Sequence, residues 1–437
     1  MRALLAALAL AAACAAPPAE RPAARGVAAT SAPPRPADCI DVPAGAALQA
    51  AVDGAPDGGA LCLAPGDHTG PLVVHRRVTI WGPREAVLRS TGEGTTVRLE
   101  ADGAALLGLT LDGSGGRFDL LDAAVHLAGR GARVEGLLVR NAVFGILVER
   151  AREATVRGNT VIGDARQSLG LRGDGIRLWE AHGCVVEDNL VRDGRDTVLW
   201  YASGNRVARN RIEGGRYGAH LMYSHQNVIE DNRFVGNVTG LFVMYSRGAE
   251  IRGNLFASGG GAAGMGLGLK ESGGLRVARN LFIDNTVGLY VDTSPLWPED
   301  RNAFEGNLFR LNSVAVSFLG RADGNAFRGN GFRDSQVQVE VDGRGDARAA
   351  TWSGNAFDDY AGYDLDGDGV GDVPYELRSL SSDLVSETPA LAFFRGTPAL
   401  GLAEAIGRIV PLFEPRLVLV DPAPRMARVE WEAPRAD

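Results

Sequence analysis

The sequence predicts an all-β fold, a right-handed parallel β-helix with an N-terminal cap and a mixed, partly helical C-terminal tail. A pattern of an apolar residue, two others, Asn, one other and a second apolar residue recurs nine times, at intervals of 21 to 30 residues. Glycine, which suits tight corners, occurs 58 times in 437 residues. The nine repeated asparagines are Asn159, Asn189, Asn210, Asn232, Asn254, Asn280, Asn307, Asn330 and Asn355. A β-type repeat of this length is typical of a solenoid, whose coils share one core.

Apolar residues flank every one of these asparagines. Three positions before them lie Val156, Val186, Val207, Ile229, Ile251, Val277, Phe304, Phe327 and Trp352, and two positions after them lie Val161, Val191, Ile212, Phe234, Phe256, Phe282, Phe309, Phe332 and Phe357. We expect both columns to point inward, with coils about 4.8 Å apart. Asn is predicted at a corner, in a left-handed backbone, with its amide bonded to the Asn of the next coil. A β-propeller needs a longer period of roughly 40–50 residues.

The N-terminal residues predict export. Residues 1–14 combine Arg2 with a short apolar run and are typical of a signal peptide. Cys14 is a candidate for lipidation, and ordinary cleavage nearby is the alternative. Residues 15–37 are rich in Ala, Pro and Arg and indicate a flexible tether. We therefore expect a periplasmic protein, either soluble or lipid-anchored.

Cysteine placement fits an oxidising compartment. Cys39 and Cys62 flank a short amphipathic stretch, residues 48–52, that is predicted to form a helix capping the first coil. A Cys39–Cys62 disulfide would close this cap, and two buried free thiols are the alternative. Cys184 is predicted to be a buried small residue.

The remaining organisation follows from where the repeat ends. Residues 38–360 are assigned to the β-helix, 361–376 to an Asp-rich loop and 377–437 to a tail that either caps the last coil or docks on a partner. Within the tail, Thr397 is predicted to start a helix with an apolar face. The net charge of −8 argues against binding to nucleic acid.

One outward-facing column is unusual for an exported protein. Ten residues before successive asparagines lie Trp179, Trp200, Met222, Met244 and Lys270. Strand alternation points this column outward and puts His220 on the same face as Met222. Thioether and imidazole are ligands suited to Cu(I), so His220, Met222 and Met244 are candidate copper ligands. Met265, in the adjacent loop, and His225, in the following turn, are further candidates. The alternative is an apolar ladder covered by a partner, without a metal.

A second candidate metal site lies in the Asp-rich loop. Asp364, Asp366, Asp368 and Asp372 occupy positions 1, 3, 5 and 9 of a loop like that of an EF-hand, with interleaved glycines. The bidentate Glu expected at position 12 is replaced by Tyr375. We predict a Ca²⁺ site, and an acidic solvated turn is the alternative.

Catalysis is poorly supported. Lys270, Glu271, Asp292 and Glu180 lie on or near the outward face and could act on a uronate sugar, since parallel β-helices often carry carbohydrate-modifying enzymes. No compact Asp/His cluster is present in the sequence pattern. We predict no catalytic residue, with a carbohydrate-binding or carbohydrate-modifying β-helix as the alternative function.

Several segments together resemble the NosD family of exported maturation factors for nitrous oxide reductase. They are residues 216–224, 240–246, 266–272, the Asp-rich loop ending at 372–375, and the tail from 386 to 426. The resemblance implies a periplasmic, non-enzymatic protein that handles copper together with the permease and ATPase of an ABC transporter and a copper chaperone, and helps to assemble the copper centres of the reductase.

Overall fold

A computed structural model describes residues 33–342, 347–379 and 415–432, with four isolated positions between the last two ranges. The described chain winds into three parallel β-sheets with very little helix. This architecture confirms the predicted right-handed parallel β-helix. The predicted signal peptide, Cys14, residues 15–32 of the tether and most of the helix predicted from Thr397 lie outside the described residues.

Each sheet takes one strand from successive coils. The first sheet contains Ile40–Val42, Ala60–Leu63, Thr79–Trp81, Ala105–Leu107, Arg133–Glu135, Thr155–Arg157, Val185–Glu187, Arg206–Ala208, Val228–Glu230, Glu250–Arg252, Arg276–Ala278, Asn302–Glu305, Asn325–Arg328 and Thr351–Ser353. The second contains Gly66–Thr69, Ala86–Arg89, Thr110–Asp112, Leu138–Arg140, Thr160–Ile162, Leu190–Arg192, Arg211–Glu213, Arg233–Val235, Leu255–Ala257, Leu281–Ile283, Leu308–Arg310, Gly331–Arg333 and Ala356–Phe357. The third contains Leu72–Val74, Val97–Leu99, Ala123–Leu127, Phe144–Glu149, Ile176–Trp179, Asp196–Trp200, Tyr217–Met222, Thr239–Met244, Met265–Lys270, Val287–Asp292, Val314–Leu319 and Val337–Asp342.

The two predicted apolar columns do point inward. Phenylalanines two positions after the asparagines stack from Phe234 to Phe357, with ring centroids of neighbours 4.7 to 5.2 Å apart. Phe256, in the middle of this stack, is fully buried. The aromatic stack and the aliphatic residues facing it form one continuous core along the coils.

The asparagines form a buried ladder, as predicted. The side-chain oxygen of Asn232 accepts hydrogen bonds from the backbone nitrogen and from Nδ2 of Asn210, at 2.9 and 3.0 Å. Nδ2 of Asn232 in turn donates to the carbonyl of Val207 and to Asn254. The left-handed backbone conformation, which we predicted at Asn itself, lies one residue earlier. Arg209, immediately before Asn210, has φ +53°, because the corner turns there and Asn already faces the interior.

A carboxylate ends this ladder. Asp421 is fully buried, and its oxygens accept hydrogen bonds from the backbone nitrogen of Asn355 at 3.0 Å and from its Nδ2 at 2.8 Å. The side-chain amide of each ladder asparagine donates to the asparagine of the following coil. The donors of Asn355, in the last coil, therefore need a different acceptor. An anionic acceptor without a donor of its own satisfies them.

The first coil is capped as the sequence predicts. The helix Leu48–Gly54 buries Leu48 and Val52. Cys39 and Cys62 form a disulfide with a Cα–Cα distance of 5.7 Å. Cys184 is free and buried.

The C-terminal segment folds back on the coils. Tyr375–Ser379 pairs antiparallel with Arg416–Asp421. Further on, Nε1 of Trp431 donates to the carbonyl of Arg279 at 3.0 Å. In the part of the chain that the structure describes, no helix has the length and apolar character needed to cross a bilayer. Short 3₁₀ turns occur at Leu169–Leu171 and Ala347–Ala349.

Candidate metal site

The outward face of the third sheet carries the predicted column in continuous register. Trp179 pairs with Trp200, Trp200 with Met222, Met222 with Met244, and Met244 with Lys270. All five side chains are half-buried. The residue immediately before each member of this column points into the core and is fully buried; these residues are Leu178, Leu199, Leu221, Val243 and Leu269. Two thioethers therefore lie side by side on adjacent rungs.

His220 brings an imidazole to these thioethers. Its Nε2 lies 3.2 Å from Sδ of Met244, on the neighbouring rung. Only 6% of His220 is exposed, so a ligand would reach the imidazole past the more accessible Met222 and Met244. These three residues are called the His–Met patch below.

The imidazole of His220 is neutral at ordinary pH. Burial is the main cause that lowers its pKa, to about 4, and Arg216 lowers it further while Asp196 opposes the shift. A neutral ring retains a nitrogen lone pair for a metal. Near neutral pH, therefore, only one of the two ring nitrogens of His220 carries a proton.

A β-bulge that the sequence reading missed shapes the patch. Asp196 pairs with Tyr217, but Val198 pairs with His220, so the strand Tyr217–Met222 holds one extra residue. Bulges re-aim side chains near sites, and here the ring of Tyr217 lies 5.0 Å from that of His220. A signal was available, because the interval ending at Asn210 is 21 residues and the next is 22.

Met265 lies close to the patch but one rung beyond it. It begins the strand Met265–Lys270, which corrects its predicted placement in a loop. The Phe242 ring and the Met265 side chain both lie close to Gly268, which has no side chain of its own. A Cβ at position 268 would come within 2.5 Å of the Phe242 ring and 3.3 Å of Sδ of Met265. The Phe242 ring in turn stacks near His220, with centroids 6.3 Å apart. The strand that carries Phe242 therefore lies between the strands that carry His220 and Met265.

The structure does not bring His225 to the patch. Its backbone nitrogen donates to Oγ of Ser203 at 2.9 Å, and its Nδ1 accepts from the backbone nitrogen of Arg247 at 3.1 Å. Burial, followed by the charge of Arg247, lowers its pKa. The ring lines a separate surface groove with Arg247 and Asp300, because the turn after Met222 directs it away.

The Asp-rich loop gathers three of its four predicted ligands. Carboxylate oxygens of Asp364, Asp366 and Asp368 lie within 4.8 Å of one another. The backbone nitrogen of Gly369 donates to Asp364 and is the main cause that lowers the pKa of that carboxyl. Asp372 instead accepts a hydrogen bond from the backbone nitrogen of Leu365 at 2.6 Å, which closes the loop.

Three of the four groups considered for catalysis, Lys270, Asp292 and Glu180, are paired with neighbours. Lys270 Nζ lies 3.1 Å from Oδ2 of Asp292, and this hydrogen bond raises the pKa of the lysine. Glu180 pairs with Arg150 at 3.1 Å and accepts a hydrogen bond from Trp179. Both arrangements are those of a charge-balanced solvated face.

Fold and site together define a parallel β-helix protein with a thioether–imidazole patch on one sheet face. Residues 161–362 match the family described as periplasmic copper-binding protein (NosD). Two proteins named probable ABC transporter binding protein NosD also match. The one from Stutzerimonas stutzeri is 30% identical over 31% of each chain, and the one from Pseudomonas aeruginosa is 28% identical over 83% of this chain and 88% of its own. These matches confirm the resemblance to the NosD family.

Solved structures with the same fold share little sequence. A mannuronan C-5 epimerase module from Azotobacter vinelandii has a TM-score of 0.54 at 18% identity, covering 71% of this chain and 94% of its own. The catalytic unit of an α-1,3-glucanase from Streptomyces thermodiastaticus has a TM-score of 0.52 at 16% identity, covering 74% and 70%. At these identities the likeness shows the fold alone.

Proposed function

We propose that this protein is an exported accessory factor for assembly of the copper centres of nitrous oxide reductase, and that it receives Cu(I) at His220, Met222 and Met244. The contact of 3.2 Å between Nε2 of His220 and Sδ of Met244, with Met222 on the adjoining rung, carries this proposal. The description of the matching family as periplasmic and copper-binding supports it.

The chemistry of the patch suits a carrier and not an enzyme. Two thioethers and a neutral imidazole are soft ligands without charge, which favour Cu(I) over harder cations. A site without thiolate binds copper with modest affinity and releases it to a stronger acceptor. The copper is cargo in this proposal, and no residue of the patch has a catalytic role.

Partners and location follow the family. The relatives named ABC transporter binding proteins support association with a permease and an ATPase, and the proposal adds a copper chaperone as donor and nitrous oxide reductase as acceptor. Residues 1–14 would direct export to the periplasm, with Cys14 as the point of lipidation if the protein is anchored. The tail, residues 377–437, would dock on the transporter or cap the last coil.

A carbohydrate-binding or carbohydrate-modifying role is the second candidate, because parallel β-helices often carry carbohydrate-modifying enzymes. Parallel titrations of the purified protein with Cu(I) and with acidic oligosaccharides separate the two roles. Copper binding without sugar binding is the expected result. Binding or turnover of an acidic oligosaccharide, with no retention of Cu(I), would favour the second role.

Calcium removal is expected to lower thermal stability. We propose that Asp364, Asp366 and Asp368 hold Ca²⁺ with Asp372 as supporting ligand. The loop is tied to the C-terminal segment, since the nitrogen of Gly371 donates to the carbonyl of Pro424 at 2.7 Å. A ligand bound only by the folded state stabilises it by about 2.7 kcal/mol at 100 times its Kd. A chelator should therefore reduce the melting temperature, measured by calorimetry.

The control for this experiment is a variant that cannot bind the ion. Asp366→Asn with Asp368→Asn should melt at the temperature of the chelated wild type, and chelator should change it no further. Restoring Ca²⁺ should raise the melting temperature of the wild type only. Equal melting temperatures with and without chelator, together with no calcium in the purified protein, would leave an acidic solvated turn.

A further inference from the structure

We infer that Trp200 holds His220 in the tautomer that carries its proton on Nε2, and that this keeps Cu(I) binding weak enough for release. The inference rests on the proposed function, because it concerns the same imidazole. Trp200 touches no metal in this account and acts through His220 as a positioning residue.

The donor direction fixes the tautomer. Nε1 of Trp200 lies 3.4 Å from Nδ1 of His220. An indole nitrogen can only donate, so Nδ1 must be the acceptor and carries no proton. In the neutral ring the proton then lies on Nε2, the nitrogen 3.2 Å from Sδ of Met244. The metal-free patch is thus closed by an N–H···S contact.

The indole is held firmly in this position. The guanidinium of Arg177 lies over the rings of both Trp179 and Trp200, 5.0 and 5.1 Å from their centroids. Arg177 is itself anchored by a hydrogen bond of 3.3 Å to the buried carboxylate of Asp174. The two indole rings also contact each other, with centroids 5.5 Å apart. Trp200 is therefore confined on one side by Arg177 and Trp179 and on the other by His220.

Copper binding must undo this arrangement. Cu(I) takes the lone pair of Nε2, so the proton on Nε2 leaves and a proton is taken up at Nδ1, with no net change in the charge of the imidazole. Nδ1–H and the indole N–H then face each other as two donors, and the hydrogen bond is lost. The cost of this loss reduces the affinity of the patch for copper without changing any ligand.

The test combines a spectroscopic and a binding measurement. Nitrogen-15 NMR of the metal-free wild type should show an unprotonated Nδ1 and a protonated Nε2 at His220, with its signals assigned by comparison with His220→Gln. Trp200→Phe should remove this tautomer preference and tighten Cu(I) binding about 2- to 10-fold, the equivalent of one net hydrogen bond. Trp179→Phe is the matched control, because phenylalanine keeps an aromatic ring against Trp200 and removes only an indole N–H that donates to Glu180. This variant should change neither the tautomer of His220 nor the affinity for Cu(I).

The outcomes separate this inference from the proposed function. A protonated Nδ1 in the wild type, or an affinity of Trp200→Phe equal to that of Trp179→Phe, overturns the role of Trp200. Because the wild-type spectrum needs no variant, misfolding of Trp200→Phe cannot hide the answer. If His220→Gln binds Cu(I) as the wild type does, the proposed copper site fails, while the tautomer result still stands on its own.

Discussion

Replacing Phe256 by alanine is expected to lower the free energy of unfolding by about 3–5 kcal/mol, the usual cost of removing a buried phenyl ring. Phe256 is fully buried and lies between Phe234 and Phe282, with ring centroids 5.2 and 4.9 Å away. Both neighbours are fixed on their own rungs, so the coil cannot collapse into the cavity. Chemical denaturation monitored by circular dichroism measures the change.

The strand that carries Phe256 also supplies its control. Leu255 precedes Phe256 and points to the opposite, partly exposed side of the sheet. Leu255→Ala should cost about 0.5–1 kcal/mol, because it opens no cavity in the core. Similar losses for the two variants would contradict the assigned inward register.

Replacing Met222 and Met244 together by leucine is expected to weaken Cu(I) binding by about 100-fold or more. Loss of an outer-shell partner alone costs 10- to 100-fold at metal sites, and this variant removes two proposed ligands. Leucine keeps the volume of methionine, so stability should change by less than about 1.5 kcal/mol. Competition with a chromophoric Cu(I) chelator measures the affinity.

Two other methionines provide comparisons. Met426 is exposed on the C-terminal segment, so Met426→Leu should leave the affinity unchanged. Met265→Leu should have a small effect, because the strand of Met265 lies two rungs from the strand of His220. If the double variant binds Cu(I) as tightly as the wild type, the patch is a surface for protein contact and not a copper site.

Repetition made the fold predictable. One register error in a strand would move every side chain of that strand to the other face, so an unbroken apolar column such as Val207, Ile229 and Ile251 fixes the inward face. The same alternation placed Met222 and Met244 together on the outside. Their pairing in the structure follows directly from the interval of 22 residues between them.

Features that depend on a single coil were not predictable in this way. The extra residue in Tyr217–Met222 changes one interval by one position, and the aim of His220 depends on it. The turn holding His225 follows a left-handed residue, Tyr223, with φ +51°. The left-handed corner recurs at Tyr201 and Tyr245, but local contacts set the direction of an individual side chain at a bulge or a corner.

Further ladders were also missed. Asn285 and Asn312 form a second ladder, with Nδ2 of Asn285 3.0 Å from the side-chain oxygen of Asn312. A column of serines, Ser224, Ser246 and Ser272, follows the Met column two positions later. The second Asn ladder is hard to recognise in the sequence, because only some coils carry asparagine at its position. Asp421 was hidden because it lies 66 residues beyond the last ladder asparagine.

The location of copper in the loaded protein tests the central claim most directly. A crystal of the Cu(I)-loaded protein, with diffraction data collected on both sides of the copper absorption edge, shows the ion by its anomalous signal. We predict one peak between Nε2 of His220 and Sδ of Met244, within reach of the thioether of Met222. A peak confined to the groove beside His225 or to the Asp364 loop, with the His–Met patch empty, would contradict the account.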